Sequence, residues 1–191
     1  MQTCYSGGMR KILGPDFFDR PTLVVAQELL GKYLVRRAGG DDIALKIVET
    51  EGYFGFEDKG SHAHRGRTSR NTPMFAGAGT IYVYFTYGMH WMLNLVCEKE
   101  DFPAAVLIRG LESPEGAPRL DGPAKLTKYL RIDRTLNTLR LGKKSGLWVE
   151  DRGVCIAARD IRTTPRIGIP DRGAWTKKPW RFVLRERTTA R

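Results

Sequence analysis

Cysteine is scarce in this chain: Cys4, Cys97 and Cys155 are odd in number, widely spaced and without a CxxC pair. That excludes a disulfide framework and a cysteine zinc motif, and the three read as buried or free thiols in a reducing compartment. Long apolar runs are missing too. None approaches the roughly 20 residues that a membrane span needs. The first residues, MQTCYSGGMRKILG, have no hydrophobic stretch of the signal-peptide kind, so a cytoplasmic protein is expected. Repeats and low-complexity tracts are absent, which argues against a solenoid. Acidic residues are the other shortage, 21 Asp and Glu against 32 Lys and Arg, leaving a net charge of +11. A partner of negative charge is the natural complement.

The remaining composition, 41% hydrophobic and 28% charged over 191 residues, fits one globular domain with a sizeable core. We take residues 1–191 as that domain, with 1–14 a flexible N-terminus and 186–191 a basic tail. The positive charge is concentrated. Arg159 to Arg191 hold ten Lys or Arg against three acids, and Arg65, Arg67 and Arg70 form a second cluster. A solvated surface would look similar. However, Arg166, Arg172, Lys177, Lys178 and Arg181 are interleaved with Pro, Gly and Trp rather than blocked together, which favours an ordered phosphate-facing surface.

Periodicity predicts a helix over Phe17–Gly31, with Pro21 suited to its first turn and Gly31 to a C-terminal cap. Strands are predicted over Lys32–Arg37 and Ile43–Thr50, joined at Gly39-Gly40-Asp41. Residues 54–78 read as a loop with at most a short helix. Ile81, Val83 and Phe85 alternate with Tyr82, Tyr84 and Thr86, and a Tyr87-Gly88 turn leads back into a strand over His90–Glu98. Ala104–Leu111 is a further strand with Arg109 on the face of Ala105 and Leu107. Gly122–Arg131 reads as a helix, and Gly146–Val149, Val154–Ala157 and Arg181–Arg185 as short strands. This order predicts an α+β domain built on an antiparallel sheet.

Two stretches carry chemistry. In IVETEGYF (Ile47–Phe54), continued alternation puts Glu49 and Glu51 on the face of Ile43, Leu45 and Ile47. Acids interrupting an apolar face mark either a functional site or a strand end. GTIYVYFTYGMHWMLNLV (Gly79–Val96) supplies a file of aromatics. Carboxylates beside stacked aromatics in a basic protein suit a planar ring borne on a polyanion, and nucleic-acid bases are the obvious candidates. From the residues alone, Glu51 also reads as a surface ion-pair acid and Arg109 as its salt-bridging counterpart. His62-x-His64 has the spacing of two metal ligands on a strand, but no third ligand follows and the neighbouring arginines suit phosphate, so no metal is expected.

Taken together, IVETEGY, SHAHRGRTSRN, GTIYVYFTYGMHWMLN, AVLIRGLE, GPAKLTK and PRIGIP…AWTKKPWRF resemble, in order, the alkyladenine (3-methyladenine) DNA glycosylase family over about Phe17 to Phe182. The resemblance implies a monofunctional base-excision repair enzyme that acts without metal or organic cofactor. It would release alkylated or deaminated purines from double-stranded DNA, working as a monomer near the nucleoid. The implied fold is a curved antiparallel sheet with flanking helices and a β-hairpin that enters the minor groove. By the same resemblance Glu51 is the general base and Arg109 its partner. Tyr53, His62 and Tyr84 wall the base pocket, and Asn94 obstructs the 2-amino group of guanine. Tyr87 intercalates, and Leu107 lines the groove or pocket edge. His64, Gly52 and Ala124 depart from the residues commoner at those places. A non-catalytic protein that binds damaged DNA is the competing expectation.

Overall fold

Where apolar and aromatic residues alternate with a period of two, as over Ile81–Thr86, the chain forms strands, and these outweigh its short helices. The computed structural model describes residues 10–185. In chain order the elements are β1 (Lys11–Ile12), α1 (Pro15–Phe18), α2 (Thr22–Glu28), β2 (Tyr33–Ala38), β3 (Asp41–Phe54), β4 (Ile81–Thr86), β5 (His90–Val96), β6 (Ala104–Leu111), α3 (Pro123–Tyr129), β7 (Leu147–Asp151), β8 (Ile161–Thr164) and β9 (Arg181–Leu184). All nine strands pair antiparallel in one sheet of order β1-β7-β2-β3-β6-β5-β4. β9 replaces β2 along the second half of β3 and carries β8 on its far side. Among the described residues no helix is long and apolar enough to cross a membrane.

One face of the sheet is closed by α2 and α3 over a large apolar core that includes Phe18, Val25, Leu29, Leu45, Ile47, Leu93, Val106, Ile108, Leu126 and Leu130. A second, smaller cluster lies on the opposite face, where Met74, Phe75, Tyr82, Val96 and Ala105 pack under the 54–78 loop. That loop contains one short 3-10 turn, Thr72–Phe75. The sheet therefore separates a dry helical side from a side covered only by loops, and the cleft described below opens on the loop side.

Several expectations are corrected. The helix over Phe17–Gly31 is broken at Asp19–Pro21, because Pro21 disfavours helical geometry at Arg20 and itself opens α2. Val154–Ala157 is not a strand, and the edge position is taken by β8 instead. Lys11 and Ile12, inside the stretch expected to be flexible, pair with Asp151 and Glu150. Residues 1–9 and the 186–191 tail lie outside the described residues. Cys97 is a buried free thiol as read from sequence, whereas Cys155 is disulfide-bonded.

The correction with most consequence is in β3. Its pairing with β6 shifts twice, between Ile47 and Glu49 and between Glu49 and Thr50, and the two shifts offset, so that Val48 on β3 and Arg109 on β6 are each left out of the ladder, as in a β-bulge. Ile47 faces the helical core, and so does Thr50, whose hydroxyl donates to Ala26 O at 2.7 Å. Gly52 follows on the same face, and a Cβ there would meet Leu23 Cδ2 at 2.7 Å. Three residues rather than two separate the core-facing Ile47 and Thr50, so the alternation of β3 changes phase across this irregularity. Glu49, Glu51 and Tyr53 thus leave the face of Ile43, Leu45 and Ile47 and turn toward the loop side. Glu51 is also no strand-end acid: it sits inside a 14-residue strand and is fully buried.

Candidate active site

Five strands bring one residue each into a row on the loop-side face. Tyr82 (β4) is in register with Asn94 (β5), Asn94 with Leu107 (β6), Leu107 with Glu51 (β3), and Glu51 with Arg181 (β9). Cross-strand partners point to the same side of a sheet, so the row is continuous. Above it is a cleft of about 610 Å³, lined by Tyr53, His62, Tyr82, Tyr84, Asn94, Leu107 and Arg109 among others, with Tyr87 at its mouth. All eight residues singled out in the sequence come together here. Glu51 alone has no surface of its own in the cleft and lies just beneath it, touched by lining residues.

Three groups hold the Glu51 carboxylate. The Tyr53 hydroxyl donates to Oε2 at 2.8 Å, and the Ile167 backbone N–H donates to Oε1 at 2.9 Å. Arg109 Nε lies 3.5 Å from Oε1 and 2.8 Å from Glu49 Oε1. Neither approach of that nitrogen is aligned as a hydrogen bond, so both are charge contacts and a buried donor is left over. Glu49 also accepts from Arg181 Nε. Gly110 makes this possible, since a Cβ there would meet Glu49 Cβ at 2.9 Å.

Burial is the largest influence on Glu51 and pushes its carboxyl above the ordinary range. Arg109, the Ile167 N–H and the Tyr53 hydroxyl oppose that rise, and the Glu49 charge adds to it. The Tyr53 phenol is raised well above its usual value, first by burial and then by Glu51, so it stays a donor.

The aromatic wall is tightly interlocked. His62 meets Tyr84 edge-on at 4.7 Å between ring centres, and its Nδ1 is 3.2 Å from the Tyr82 hydroxyl. Tyr82 and Tyr84 lie 5.3 Å apart on the same face of β4. His62 is exposed in the free protein, yet desolvation by its neighbours and then the Arg70 charge lower its imidazole to about 4. It is therefore neutral at physiological pH. Tyr84 is raised to about 12, mainly by burial. Asn94 is buried, its amide donating to Tyr82 O and Met92 O at 3.3 and 3.4 Å. His64 bonds Ser61 O rather than sharing a partner with His62. Among the described residues no three His, Cys, Asp or Glu side chains are grouped as metal ligands.

The β4–β5 hairpin ends in Thr86-Tyr87-Gly88-Met89, closed by Met89 N–H donating to Thr86 O at 3.2 Å. Tyr87 and Gly88 have φ of 52° and 67°. Hairpin turns of the primed type need such angles, which suit Gly and strain a tyrosine. Tyr87 is 77% exposed and Met89 68%.

Sequence reasoning missed or misplaced five participants. Tyr82 was detectable, since it shares the period-two face of Tyr84. Glu49, given no role of its own by the resemblance, joins Arg109 and Arg181 beside Glu51. Ile167 acts through its backbone, which leaves no local signal; Arg166 and Arg181, expected on a phosphate-facing surface, are instead turned inward by Asp58 and Glu49, partners more than 100 residues away in sequence.

The Methylpurine-DNA glycosylase (MPG) family profile matches residues 16–188. A protein of Methanocella arvoryzae is 44% identical over 185 residues, covering 90% of this chain and 91% of its own. One from Clostridium perfringens strain SM101 is 39% identical over 196 residues, covering 91% and 96%. Another from Streptomyces avermitilis is 42% identical over 190 residues, covering 92% and 88%. Each is provisionally named a 3-methyladenine DNA glycosylase. Agreement of this depth along nearly the whole length, with the cleft residues inside the matched span, means that the chain belongs to the methylpurine-DNA glycosylase family.

Proposed function

We propose that this DNA glycosylase hydrolyses the N-glycosidic bond of alkylated or deaminated purines of the 3-methyladenine, hypoxanthine and ethenoadenine class, leaving an abasic site. The observation that carries the reading is a fully buried carboxylate, Glu51, held by Tyr53 and Arg109 beneath an aromatic-walled cleft. A pure binding protein has no use for such a group, and its desolvation would be an unrecovered loss.

In this reaction water oxygen bonds to the sugar C1′ as the C1′–N bond breaks. Glu51 takes the water proton, and the electron pair of the broken bond departs with the purine. Oxocarbenium character on the sugar favours a nearby negative charge. A carboxylate raised toward working pH is a stronger base than an ordinary one. Arg109, with its unaligned donor, helps orient that water. Glu51 is covered in the DNA-free molecule, so water reaches it when a flipped nucleotide opens the cleft side.

A base inside a duplex must first be extruded. Tyr87, at the tip of the β4–β5 hairpin, enters the minor groove and fills the gap, a common use of large side chains there. Tyr53, His62 and Tyr84 stack the extruded purine, each aromatic face contributing about 1–3 kcal/mol. A cationic alkylated ring gains further from the electron-rich faces. Asn94 obstructs the 2-amino group of guanine, and Leu107 lines the pocket edge. The exposed members of the basic clusters, Arg65, Arg67, Arg70, Arg172, Lys177 and Lys178, contact phosphates. The enzyme works as a monomer on duplex DNA without a cofactor.

The test is single-turnover base release from a duplex with one hypoxanthine or ethenoadenine, comparing wild type with Glu51→Gln, and repeated with methylated DNA. Release by wild type alone is the expected result. Tight lesion binding without release on any substrate would instead make this a damage-binding protein.

A further inference from the structure

Beneath the cleft, outside the groups assigned to catalysis, lies a fully buried ion pair. Arg166 Nη1 and Nη2 donate to Asp58 at 2.6 and 2.7 Å, and neither side chain has any solvent exposure. Burying such a pair costs desolvation, and an apolar pair of equal volume often does as well or better for stability. Stability is therefore a poor reason for its presence, whereas several of its other contacts lead to Glu51. Nη1 also donates to Gly52 O at 3.0 Å, on the residue between Glu51 and Tyr53. The guanidinium stacks on the Tyr53 ring at 4.5 Å and on Trp180 at 4.9 Å. The residue that follows, Ile167, gives its N–H to Glu51 Oε1. Asp58 in turn accepts from Gly60 N–H at 2.9 Å at the start of the turn that carries His62. Gly60 leaves just enough space, since a Cβ there would meet Arg166 Nη2 at 2.5 Å.

We propose that Arg166, clamped by Asp58, is a positioning residue that fixes both hydrogen-bond donors of Glu51, the Ile167 N–H and the Tyr53 hydroxyl, and ties the His62 turn to the same framework. The proposal rests on Glu51 being the base. A planar fork serves Asp58, Gly52 O and two rings at once, which the single ammonium of lysine cannot do. Without the clamp both donors drift, and each of them holds the Glu51 carboxyl down. The other charged or titratable groups around Glu51 are Arg109 on β6, Glu49 on β3, Tyr84 on β4 and Arg181 on β9, and the substitutions below leave all of them in place.

The experiment compares wild type with Arg166→Lys by single-turnover release against pH, and by the ¹³C shift of the Glu51 carboxyl against pH in the free protein. Arg166→Lys is expected to lower release about 10- to 100-fold at acid pH, the usual scale for a supporting residue. Its acid limb and its Glu51 midpoint both move to higher pH. A wild-type midpoint overturns the proposal, whether or not the rate or melting temperature falls. Where Arg166→Lys does not fold, Gly60→Ala, which crowds the same guanidinium, decides by the same midpoint. Failure of wild type to release any purine defeats the proposed function instead, and the carboxyl titration still decides the positioning.

Discussion

Arg109 Nε lies 2.8 Å from Glu49 and 3.5 Å from Glu51, so one guanidinium is divided between two carboxylates and favours the one that does not contact the Tyr53 hydroxyl. Glu51 remains raised with a cation beside it because burial outweighs the Arg109 charge, which Glu51 shares with Glu49. Glu49→Gln should therefore lower the Glu51 pKa, because it removes a like charge and releases Arg109 toward Oε1. The acid limb of single-turnover release should move to lower pH. The pH–rate profile checks this, and an upward movement would contradict the charge division.

Glu51→Gln should abolish base release and also stabilise the fold at neutral pH. With its folded pKa raised, Glu51 keeps its proton in the folded state over a window where the unfolded chain has lost it. Stability thus falls as pH rises from the ordinary carboxylate range of about 4.5 through the folded pKa. Gln carries no charge to bury, so its advantage appears above that window and fades below it. Each kcal/mol recovered should raise the melting temperature by about 2–4 °C for a chain of this size. Thermal melts at pH 7 and pH 4 provide the check: a gain confined to pH 7 is expected.

Tyr87 predicts opposite signs for folding and binding. Its left-handed backbone costs an L-residue roughly 1–2 kcal/mol, and asparagine bears that conformation better. Tyr87→Asn should leave the melting temperature unchanged or raise it slightly. Loss of the inserted ring should weaken binding to lesion DNA by about 1–3 kcal/mol, roughly 5- to 150-fold. Titration of a labelled hypoxanthine duplex reads the second effect. Equal binding by the variant would leave Tyr87 as a turn residue only.

Much of this site was legible because it is carried by strict alternation. Tyr82 and Tyr84 stay two residues apart on a regular ladder, so their shared face follows directly from the sequence, and Leu107 and Arg109 keep theirs up to the irregularity at Arg109. Alternation misleads in β3 for a physical reason. A bulge is one extra residue that changes the phase, and nothing in Val48-Glu49-Thr50 announces it. The acids looked as though they broke an apolar face, when they belong to the other face altogether. The Arg166–Asp58 pair spans 108 positions. Such features arise from tertiary packing and leave little local trace. Gly52 is similar: its need for no side chain comes from Leu23 on α2, visible only once the helix lies across the strand.

Asn94 offers the sharpest test of selectivity, because hypoxanthine and guanine differ only in the 2-amino group. Its amide is held by two long hydrogen bonds to Tyr82 O and Met92 O, on the same row as Glu51. Asn94→Ser shortens the side chain where that amino group would lie, and the space gained should admit guanine. Discrimination by a small steric obstruction is worth about 1–3 kcal/mol, so the guanine-to-hypoxanthine ratio of release rates should rise roughly 10- to 200-fold. Losing two weak hydrogen bonds, each worth about 1 kcal/mol, should lower the melting temperature by several degrees. Single-turnover release from matched duplexes measures the ratio. An unchanged ratio with the expected loss of stability would make Asn94 a packing residue, and discrimination against guanine would then have to come from the stacking wall of Tyr53, His62 and Tyr84.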